Sequence, residues 1–392
     1  MTRQIAIAQP TLGAEELALV GEVLASGWLT QGPKVAAFEA AFAARHGVPH
    51  AVAVNSCTSG LHLALLALGI GPGDEVIVPS FSWVASANVV VHTGATPVLC
   101  DVSPATFTLD VADALARVTS RTRAVMAVHL FGRCADLEAL RTGLSPDVAI
   151  VEDAACAAGA AYQGRPAGSL GEIGVFSFHP RKTITTGEGG MITTGRADLA
   201  ERMSSLRNHG ATVSEEQRHL GPRPHLLPEF PRVGYNYRMT DLQGAVGLAQ
   251  LARLDGLIAE RAAWAAWYRR ELADLDWLHL PDEPPDGRHG WQAFVARIDP
   301  TRAPFDAIGL MDALQGEGIA TRPGTHAIHT LAWYRDHLGL TPEALPGALT
   351  CARHSIALPL HNRMTEESYT RVAQALHTVT GSEAPGPCGV RG

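Results

Sequence analysis

The sequence has 392 residues, of which 46% are hydrophobic and 18% are charged, and its formal net charge is -8 at pH 7. At about 150 residues per domain, this length predicts two to three structural units with enough chain for a large core. The acidic balance, without a basic stripe, argues against nucleic-acid binding as a main role.

Targeting signals and cysteine usage limit the class of protein further. The first residues lack the basic and apolar regions of a signal peptide, and no apolar run has the length of a membrane span. The six cysteines show no Cys-x-x-Cys spacing, which favours reduced thiols over disulfides or zinc. We therefore expect a cytoplasmic protein that binds neither nucleic acid nor membranes.

The first half of the chain alternates apolar strands with helices. Helical periodicity covers residues 14–26 and resumes at Pro33, a favourable first helical residue. The pattern then predicts helices at 61–68, 83–92, 110–118 and 137–142 and strands at 51–54, 75–79, 96–102, 124–130, 148–153 and 175–178. Apolar strands separated by helices are typical of a parallel sheet covered on both faces, so we predict an α/β fold.

The second half has longer irregular segments. Residues 209–235 form a long predicted loop, a capping box at 240–243 opens a helix through about residue 261, and Thr365 caps a final helix. Between these lie a predicted strand at 293–298, a helix at 304–315 and a strand at 319–322. We expect residues 1–254 to form a large domain and residues 255–380 a smaller α+β domain, on which the N-terminal segment is able to pack. Residues 381–392 are predicted to be a disordered tail.

Lys182 stands out because lysine is rare in this chain. Among 31 basic residues, only Lys34 and Lys182 are lysines, and Lys182 lies in a loop rich in Gly and Thr within residues 174–193. A partly buried lysine can lose its proton and form an imine with a carbonyl group, which arginine cannot do. The alternative is a structural lysine that caps a helix or meets a carboxylate.

Two further loops follow the ends of predicted strands, where open α/β sheets bind ligands. Residues 55–60 include Thr58 and Ser59 at a helix start, an arrangement that suits a phosphate group, although a simple capped helix is the alternative. Asp153 ends an apolar strand and needs a donor or a cation, such as a protonated ring nitrogen; an N-cap role is the alternative. With Lys182, Ser177 and the aromatic Trp83, these features together indicate pyridoxal phosphate (PLP).

At this point the chain resembles the DegT/DnrJ/StrS family of sugar aminotransferases, which are fold-type-I PLP enzymes. The resemblance runs from residue 27 to about residue 376. It rests on the motifs GWLTQGP at 27–33, NSCTSGLHLAL at 55–65, EDAA at 152–155, FSFHPRK at 176–182, TTGEGG at 185–190, RNHG at 207–210 and GYNYRMTDLQ at 234–243. It implies a three-layer large domain with a mainly parallel sheet and a smaller α+β C-terminal domain.

The resemblance also implies a role for each matching position. Lys182 matches the lysine that forms the imine with PLP, where dehydratase members carry His. Asp153 matches the carboxylate on the pyridine nitrogen. The other cofactor positions are the phosphate ligands Thr58, Ser59 and Ser177, the stacking Trp83, and Asn236, which the family donates from the neighbouring subunit of a homodimer. Cys156 departs from the Gln or His that usually faces the cofactor's 3-hydroxyl. Substrate contacts are expected from Thr30, His209, His326 and His329, although residues 325–329 depart from the family pattern.

The predicted function is that of a PLP-dependent aminotransferase. By resemblance, the donor is L-glutamate and the acceptor is a nucleotide-linked 3- or 4-keto-deoxyhexose. A keto-cyclitol is the alternative acceptor, and a non-catalytic PLP-bound regulator is the alternative of another class, although Lys182 and Asp153 argue against it. His326 and His329 have no neighbouring cysteine or carboxylate set in sequence, so no metal site is predicted.

Overall fold

The computed structural model describes residues 4–381, so the predicted tail lies outside the described residues from residue 382 onward. The helices are α1 (Ala14–Ser26), α2 (Pro33–His46), α3 (Cys57–Ala67), α4 (Ala85–His92), α5 (Val111–Ala116), α6 (Leu137–Gly143), α7 (Ala197–Arg207), α8 (Glu215–Leu220), α9 (Asp241–Ala252), α10 (Leu254–Glu271), α11 (Ala307–Gly316), α12 (Ala332–Leu338), α13 (Pro346–His354) and α14 (Glu366–Thr380). The strands are β1 (His50–Val54), β2 (Glu75–Pro79), β3 (Phe81–Ser82), β4 (Thr96–Cys100), β5 (Thr122–Val128), β6 (Ala149–Asp153), β7 (Ala161–Tyr162), β8 (Arg165–Pro166), β9 (Ile173–Ser177), β10 (Gly190–Thr194), β11 (Leu278–His279), β12 (Gly287–Arg288), β13 (Phe294–Ile298), β14 (His326–Ala327) and β15 (Ser355–Leu358).

Seven strands form the central sheet, in the order β1-β10-β9-β6-β5-β2-β4. The five strands from β9 to β4 pair in parallel, whereas β10 is antiparallel to both of its neighbours. Successive side chains of β9 enter different hydrophobic clusters, Val175 one and Phe176 another, because neighbouring residues of a strand point to opposite faces. The mainly parallel sheet with helices on both faces confirms the predicted α/β class.

The start of α3 differs from the prediction. The sequence pattern predicts a turn over 55–60 and a helix from residue 61, but the helix begins at Cys57. Ser56 is the cap, because its Oγ accepts a hydrogen bond from the Ser59 backbone N–H at 3.1 Å. Thr58 and Ser59 therefore lie in the first helical turn. Gly60 lets this turn pack closely on the sheet, since a Cβ there would lie 2.6 Å from Val175 Cγ1.

Four other predicted elements need correction. The predicted helix over 240–261 is two helices, α9 and α10, separated at Arg253, which donates hydrogen bonds to Glu16 and to the Thr11 carbonyl oxygen. The predicted loop over 209–235 contains the short helix α8. The helix predicted from residue 83 begins at Ala85, and the predicted strand over 319–322 makes only isolated bridges. The predicted caps at Thr240 and Thr365 are confirmed.

Helix α10 connects two hydrophobic clusters. Leu254 and Ile258, at its start, pack with residues of α2 and the central sheet. Ala265 and Tyr268, further along, pack with β13, β15 and α14, and the N-terminal residue Ile5 joins this second cluster. The predicted domain boundary near residue 254 stays a prediction. Among residues 4–381, no helix combines the length and the apolar character that crossing a bilayer requires.

Candidate active site

Several strands end or begin beside the start of α3. Val54 at the end of β1, Gly190 at the start of β10 and Ser177 at the end of β9 lie opposite one another in register. Gly190 allows α3 to approach, because a Cβ at this position would lie 2.8 Å from the Cys57 backbone nitrogen. The sheet thereby brings Ser177 and the first turn of α3 to the same place.

The first turn of α3 presents donors at this edge. The initial N–H groups of an α-helix have no partner within the helix and carry the positive end of its dipole. The Thr58 side chain is exposed beside them, whereas Ser59 is buried and its Oγ donates to Asn55 Oδ1 at 2.7 Å. This arrangement suits the binding of a phosphate group.

The loop after β9 holds Lys182. The Phe178 carbonyl oxygen accepts hydrogen bonds from the Thr186 N–H and the Thr185 hydroxyl, which closes the loop on the end of the strand. The Lys182 N–H donates to the His179 carbonyl oxygen at 2.8 Å. The half-buried Lys182 Nζ lies 3.1 Å from Cys156 Sγ, so the structure brings these two predicted residues into contact.

Asp153 ends β6 with its carboxylate buried and only 5% of the residue exposed. One carboxylate oxygen accepts from Ser86 Oγ at 2.7 Å, and the other accepts from the Ala155 N–H at 3.2 Å. Across residues 4–381, Asp153 has no ion pair with a cationic side chain. A buried carboxylate with neutral donors alone fits a cationic ligand atom, such as a protonated pyridine nitrogen.

The adjacent Glu152 provides a contrast. It is fully buried, and its oxygens lie 2.9 Å from His129 Nε2 and 2.6 to 2.7 Å from the backbone nitrogens of Gly168, Leu170 and Gly171. Burial opposes ionisation of this carboxyl, but His129 and the backbone donors outweigh burial and hold the pKa of Glu152 below its usual value. Glu152 is thus satisfied inside the fold, whereas Asp153 is left without a cation.

Trp83 lies between β3 and α4, next to the same carboxylate. Its carbonyl oxygen accepts from Ser86 Oγ at 3.2 Å, and Ser86 also contacts Asp153. Trp83 is 60% exposed, and its ring centroid lies 5.9 Å from that of His326. The exposed ring is therefore available for stacking, as the predicted role requires.

The remaining predicted residues make their hydrogen bonds with partners other than Lys182. Asn236 is exposed, and its carbonyl oxygen accepts from Asn55 Nδ2 of the same chain at 3.4 Å. His329 is fully buried with its ring nitrogens 2.7 Å from Ser80 Oγ and 2.9 Å from the Pro342 carbonyl oxygen, which is a structural arrangement. His209 is exposed.

Thr30 reaches the site only indirectly. Its carbonyl oxygen accepts the Asp241 N–H at the start of α9, and Gln243 of that helix donates to Glu188 in the Lys182 loop. Substrate contacts by Thr30, His209, His326 and His329 stay predictions. The described part of the chain contains no group of three or more metal-ligating side chains.

Sequence reasoning missed two neighbours of the predicted residues. Ser86 holds Asp153, and only its position three residues after Trp83, in a first helical turn, gives a signal. Cys57 opens α3, and burial, together with the negative charge of Asp153, raises the pKa of its thiol well above the usual value despite the opposing charge of Lys182. Ser86 and Cys57 are both distant in sequence from Asp153.

The residues present fit PLP. The lysine amine contacts a thiol rather than a carboxylate, the buried Asp153 lacks a cation, and the sheet brings the positive end of α3 to Ser177. These three features match the carbonyl, ring nitrogen and phosphate of this cofactor. The fold and the site define the class as PLP-dependent aminotransferases.

Comparison with known proteins identifies the family. The sequence model of the DegT/DnrJ/EryC1/StrS aminotransferase family matches residues 10–377, so the chain belongs to this family. The solved structure of S. venezuelae DesV is 36% identical, with a TM-score of 0.86, and the alignment covers 97% of this chain and 99% of that one. The PLP form of the putative sugar aminotransferase Spr1654 from Streptococcus pneumoniae is 28% identical, with a TM-score of 0.88 and coverage of 96% and 99%.

A third relative has the same overall structure. The aminotransferase from Psychrobacter cryohalolentis is 30% identical, with a TM-score of 0.90, and the match covers 96% of this chain and 99% of that chain. Family and neighbours together make this protein a PLP-dependent aminotransferase.

Proposed function

We propose that this enzyme transfers the amino group of L-glutamate to a nucleotide-linked 3- or 4-keto-deoxyhexose. The observation that carries the proposal is the match, over nearly the whole chain, to a protein described as a putative sugar aminotransferase. The site supports turnover, since Lys182 and Asp153 are both present and have no competing ion pair within the described chain. These same two residues argue against a regulator that binds PLP without catalysis.

We assign the cofactor-binding roles as follows. The α3 start, with Thr58 and Ser59, and Ser177 bind the phosphate, while Trp83 covers one face of the ring. Asp153 holds the proton on the ring nitrogen, positioned for this by Ser86. Bound PLP supplies an electron sink for the negative charge that develops at the carbon bearing the donor's amino group.

Lys182 moves the proton in this proposal. With PLP bound, its Nζ would accept the proton that the donor's α-carbon releases and would hold it for return later in the reaction. Cys156, 3.1 Å from Nζ, orients the amine and would be the residue that faces the 3-hydroxyl of bound PLP. A thiol leaves the amine without a fixed negative neighbour at this contact, which suits a group that must give up its proton.

We also propose that the active form is a homodimer with shared sites. Asn236 is exposed next to the phosphate-binding segment through its contact with Asn55, where it is available to a second subunit. The segment 209–235 exposes large apolar side chains, with Leu227 83% and Val233 92% exposed. Exposed apolar groups of this kind support an interface with a second copy.

A substrate panel tests the proposed function. Purified PLP-loaded enzyme is incubated with L-glutamate and either nucleotide-linked 3-keto- or 4-keto-deoxyhexoses or a keto-cyclitol, and aminated products are identified by mass. We expect amination of a nucleotide-linked sugar and formation of 2-oxoglutarate, both absent with Lys182→Ala. Amination of the cyclitol alone would replace the proposed acceptor, and half-reaction with other amino acids but not L-glutamate would replace the proposed donor.

A further inference from the structure

Two side chains of the active site, Lys182 and Cys156, meet from backbone segments that are each held in place. Cys156 follows β6 in a turn that the Ala157 N–H closes on the Ala154 carbonyl oxygen at 2.9 Å. The Lys182 N–H donates to the His179 carbonyl oxygen at 2.8 Å. From these positions the Lys182 Nζ and the Cys156 Sγ lie 3.1 Å apart. The contact joins a nucleophilic nitrogen to an oxidisable sulfur.

Both partners of this contact are available for chemistry. Within residues 4–381, Lys182 has no carboxylate at ion-pair distance, whereas Lys34, the other lysine of the chain, lies 2.6 Å from Glu22. Cys156 is a free thiol. Both residues are half-buried, and reactive cysteines lie in partly exposed surroundings of this kind. A small oxidant can therefore reach the sulfur while the amine lies beside it.

Cys134 provides a comparison within the same fold. It is also a half-buried free thiol, but in the described part of the chain it makes no hydrogen bond with either lysine. Burial, together with the negative charge of Glu152, raises the pKa of the Cys134 thiol above its usual value. The thiolate is the form that peroxides oxidise, so Cys134 should resist them.

We propose that Cys156 and Lys182 form a reversible sulfur–nitrogen bond when hydrogen peroxide oxidises the cofactor-free protein. Peroxide converts the Cys156 thiol into a sulfenic acid and is itself reduced to water. The neutral Lys182 amine then attacks the sulfur, the S–N bond forms, and the S–O bond breaks as the hydroxyl leaves with an amine proton. One thiol, one amine and one peroxide thus give one S–N bond and two water molecules.

This bond and the attachment of PLP exclude each other. While the Lys182 nitrogen is bound to sulfur, it cannot bind the carbonyl carbon of PLP, and PLP attached to Lys182 in turn occupies this nitrogen. The loaded enzyme should therefore be protected from the modification. This protection rests on the proposed attachment of PLP at Lys182, whereas the S–N bond rests only on the contact with Cys156. The inference goes beyond amino transfer and does not depend on the donor or the acceptor.

Mass spectrometry of the peroxide-treated protein tests the bond directly. Cofactor-free and PLP-loaded wild type are each treated with hydrogen peroxide and digested without reductant. We expect a linked pair of peptides carrying Cys156 and Lys182, lighter by two hydrogen atoms than the two peptides together, from the cofactor-free sample alone. PLP uptake, followed by absorption, should fall by the linked fraction of the protein. Dithiothreitol should restore it, because its thiols break the S–N bond and return the cysteine to the thiol.

Three variants separate the steps. Cys156→Ser lacks the sulfur, so its PLP uptake should be the same before and after peroxide. Lys182→Arg keeps a positive charge but has no neutral amine, so Cys156 should stop at the sulfenic acid, which dimedone traps. Cys134→Ser is the matched control and should form the link as the wild type does. Circular dichroism and thermal unfolding of every variant, measured in parallel, separate these effects from loss of the fold.

Several outcomes would overturn the inference. Peroxide could convert Cys156 to a sulfinic or sulfonic acid with Lys182 unmodified, or could join Cys156 to another cysteine in a disulfide. A linked pair heavier by one oxygen atom than the expected product would show an N–O–S bridge in place of the S–N bond. A comparable share of Cys134 linked to a lysine would make the linking non-specific. Equal linking with and without PLP would contradict only the attachment of PLP at Lys182 and would leave the S–N bond standing.

Discussion

Replacing Asp153 by Asn separates a catalytic charge from a structural one. The substitution removes the negative charge but keeps an oxygen that can accept the hydrogen bond of the Ser86 hydroxyl, which lies 2.7 Å from the Asp153 carboxylate in the unsubstituted protein. Asp153 has no ion pair in residues 4–381, but the new amide nitrogen would replace the oxygen that accepts the Ala155 N–H at 3.2 Å. We therefore expect the free energy of unfolding without cofactor to fall by about 1 kcal/mol, less than at Glu152, which accepts more donors. Turnover should fall by about 10²-fold or more, the scale of losing one preorganised electrostatic group, or about 2.7 kcal/mol.

The assay measures both quantities on the same preparation. Single-turnover rates with L-glutamate give the catalytic loss, and urea unfolding of the cofactor-free protein gives the stability. Glu152→Gln is the matched control, since the neighbouring carboxylate accepts from His129 and three backbone amides. It should cost about 3 kcal/mol of unfolding free energy, because an amide group would then face donors. Near-wild-type turnover of Asp153→Asn would show that Asp153 merely caps the turn at Ala155.

Three further predictions concern attachment, pH and assembly. Borohydride reduction should fix the cofactor to the Lys182 peptide and to no peptide in Lys182→Ala; a reducible attachment at Lys34 contradicts the assignment. Burial lowers the pKa of His46 to about 4, so as the pH falls the unfolded chain binds a proton at this histidine before the folded protein does. The free energy of unfolding should therefore fall by up to about 3 kcal/mol between pH ~6.5 and pH ~4. His46→Gln should flatten this dependence in urea midpoints measured against pH, and an unchanged slope rules His46 out as its source. Mixed subunits carrying Lys182→Ala and Asn236→Trp should regain activity if Asn236 acts across the dimer, and should stay inactive, with hybrids shown to form, if it acts within its own chain.

The sequence predicts the parts of this protein that depend on local pattern. Apolar strands and the capping residues Thr240 and Thr365 are recognisable because their signals lie within a few neighbouring positions. The start of α3 is misjudged since small residues at 57–60 resemble a turn, and only the capping contact from Ser56 shows that they are helical. The break at Arg253 is missed because its cause is contact with α1 and Thr11, far away in sequence.

The residues of the candidate site also differ in whether a local sequence pattern reveals them. Lys182 is found by its rarity and Asp153 by its position at the end of an apolar strand, which are properties of single segments. Ser86 is not found, because it matters only through its contact with Asp153, 67 residues away.

Residues that a local pattern reveals and residues that only the structure reveals relate to different aspects of the proposed function. In the proposed roles Lys182 and Asp153 serve the cofactor, so their local motifs indicate the class of reaction. In the proposed function, the donor and the acceptor meet side chains that several segments bring together, such as His326 of β14 and Trp83 from the segment after β3. Because β14 pairs with β3, these two segments are joined, and the His326 ring centroid lies 5.9 Å from that of Trp83. We therefore expect a change in the β3–β14 pair to alter substrate choice while the reaction class, which depends on Asp153 of β6 and on the loop after β9, stays the same.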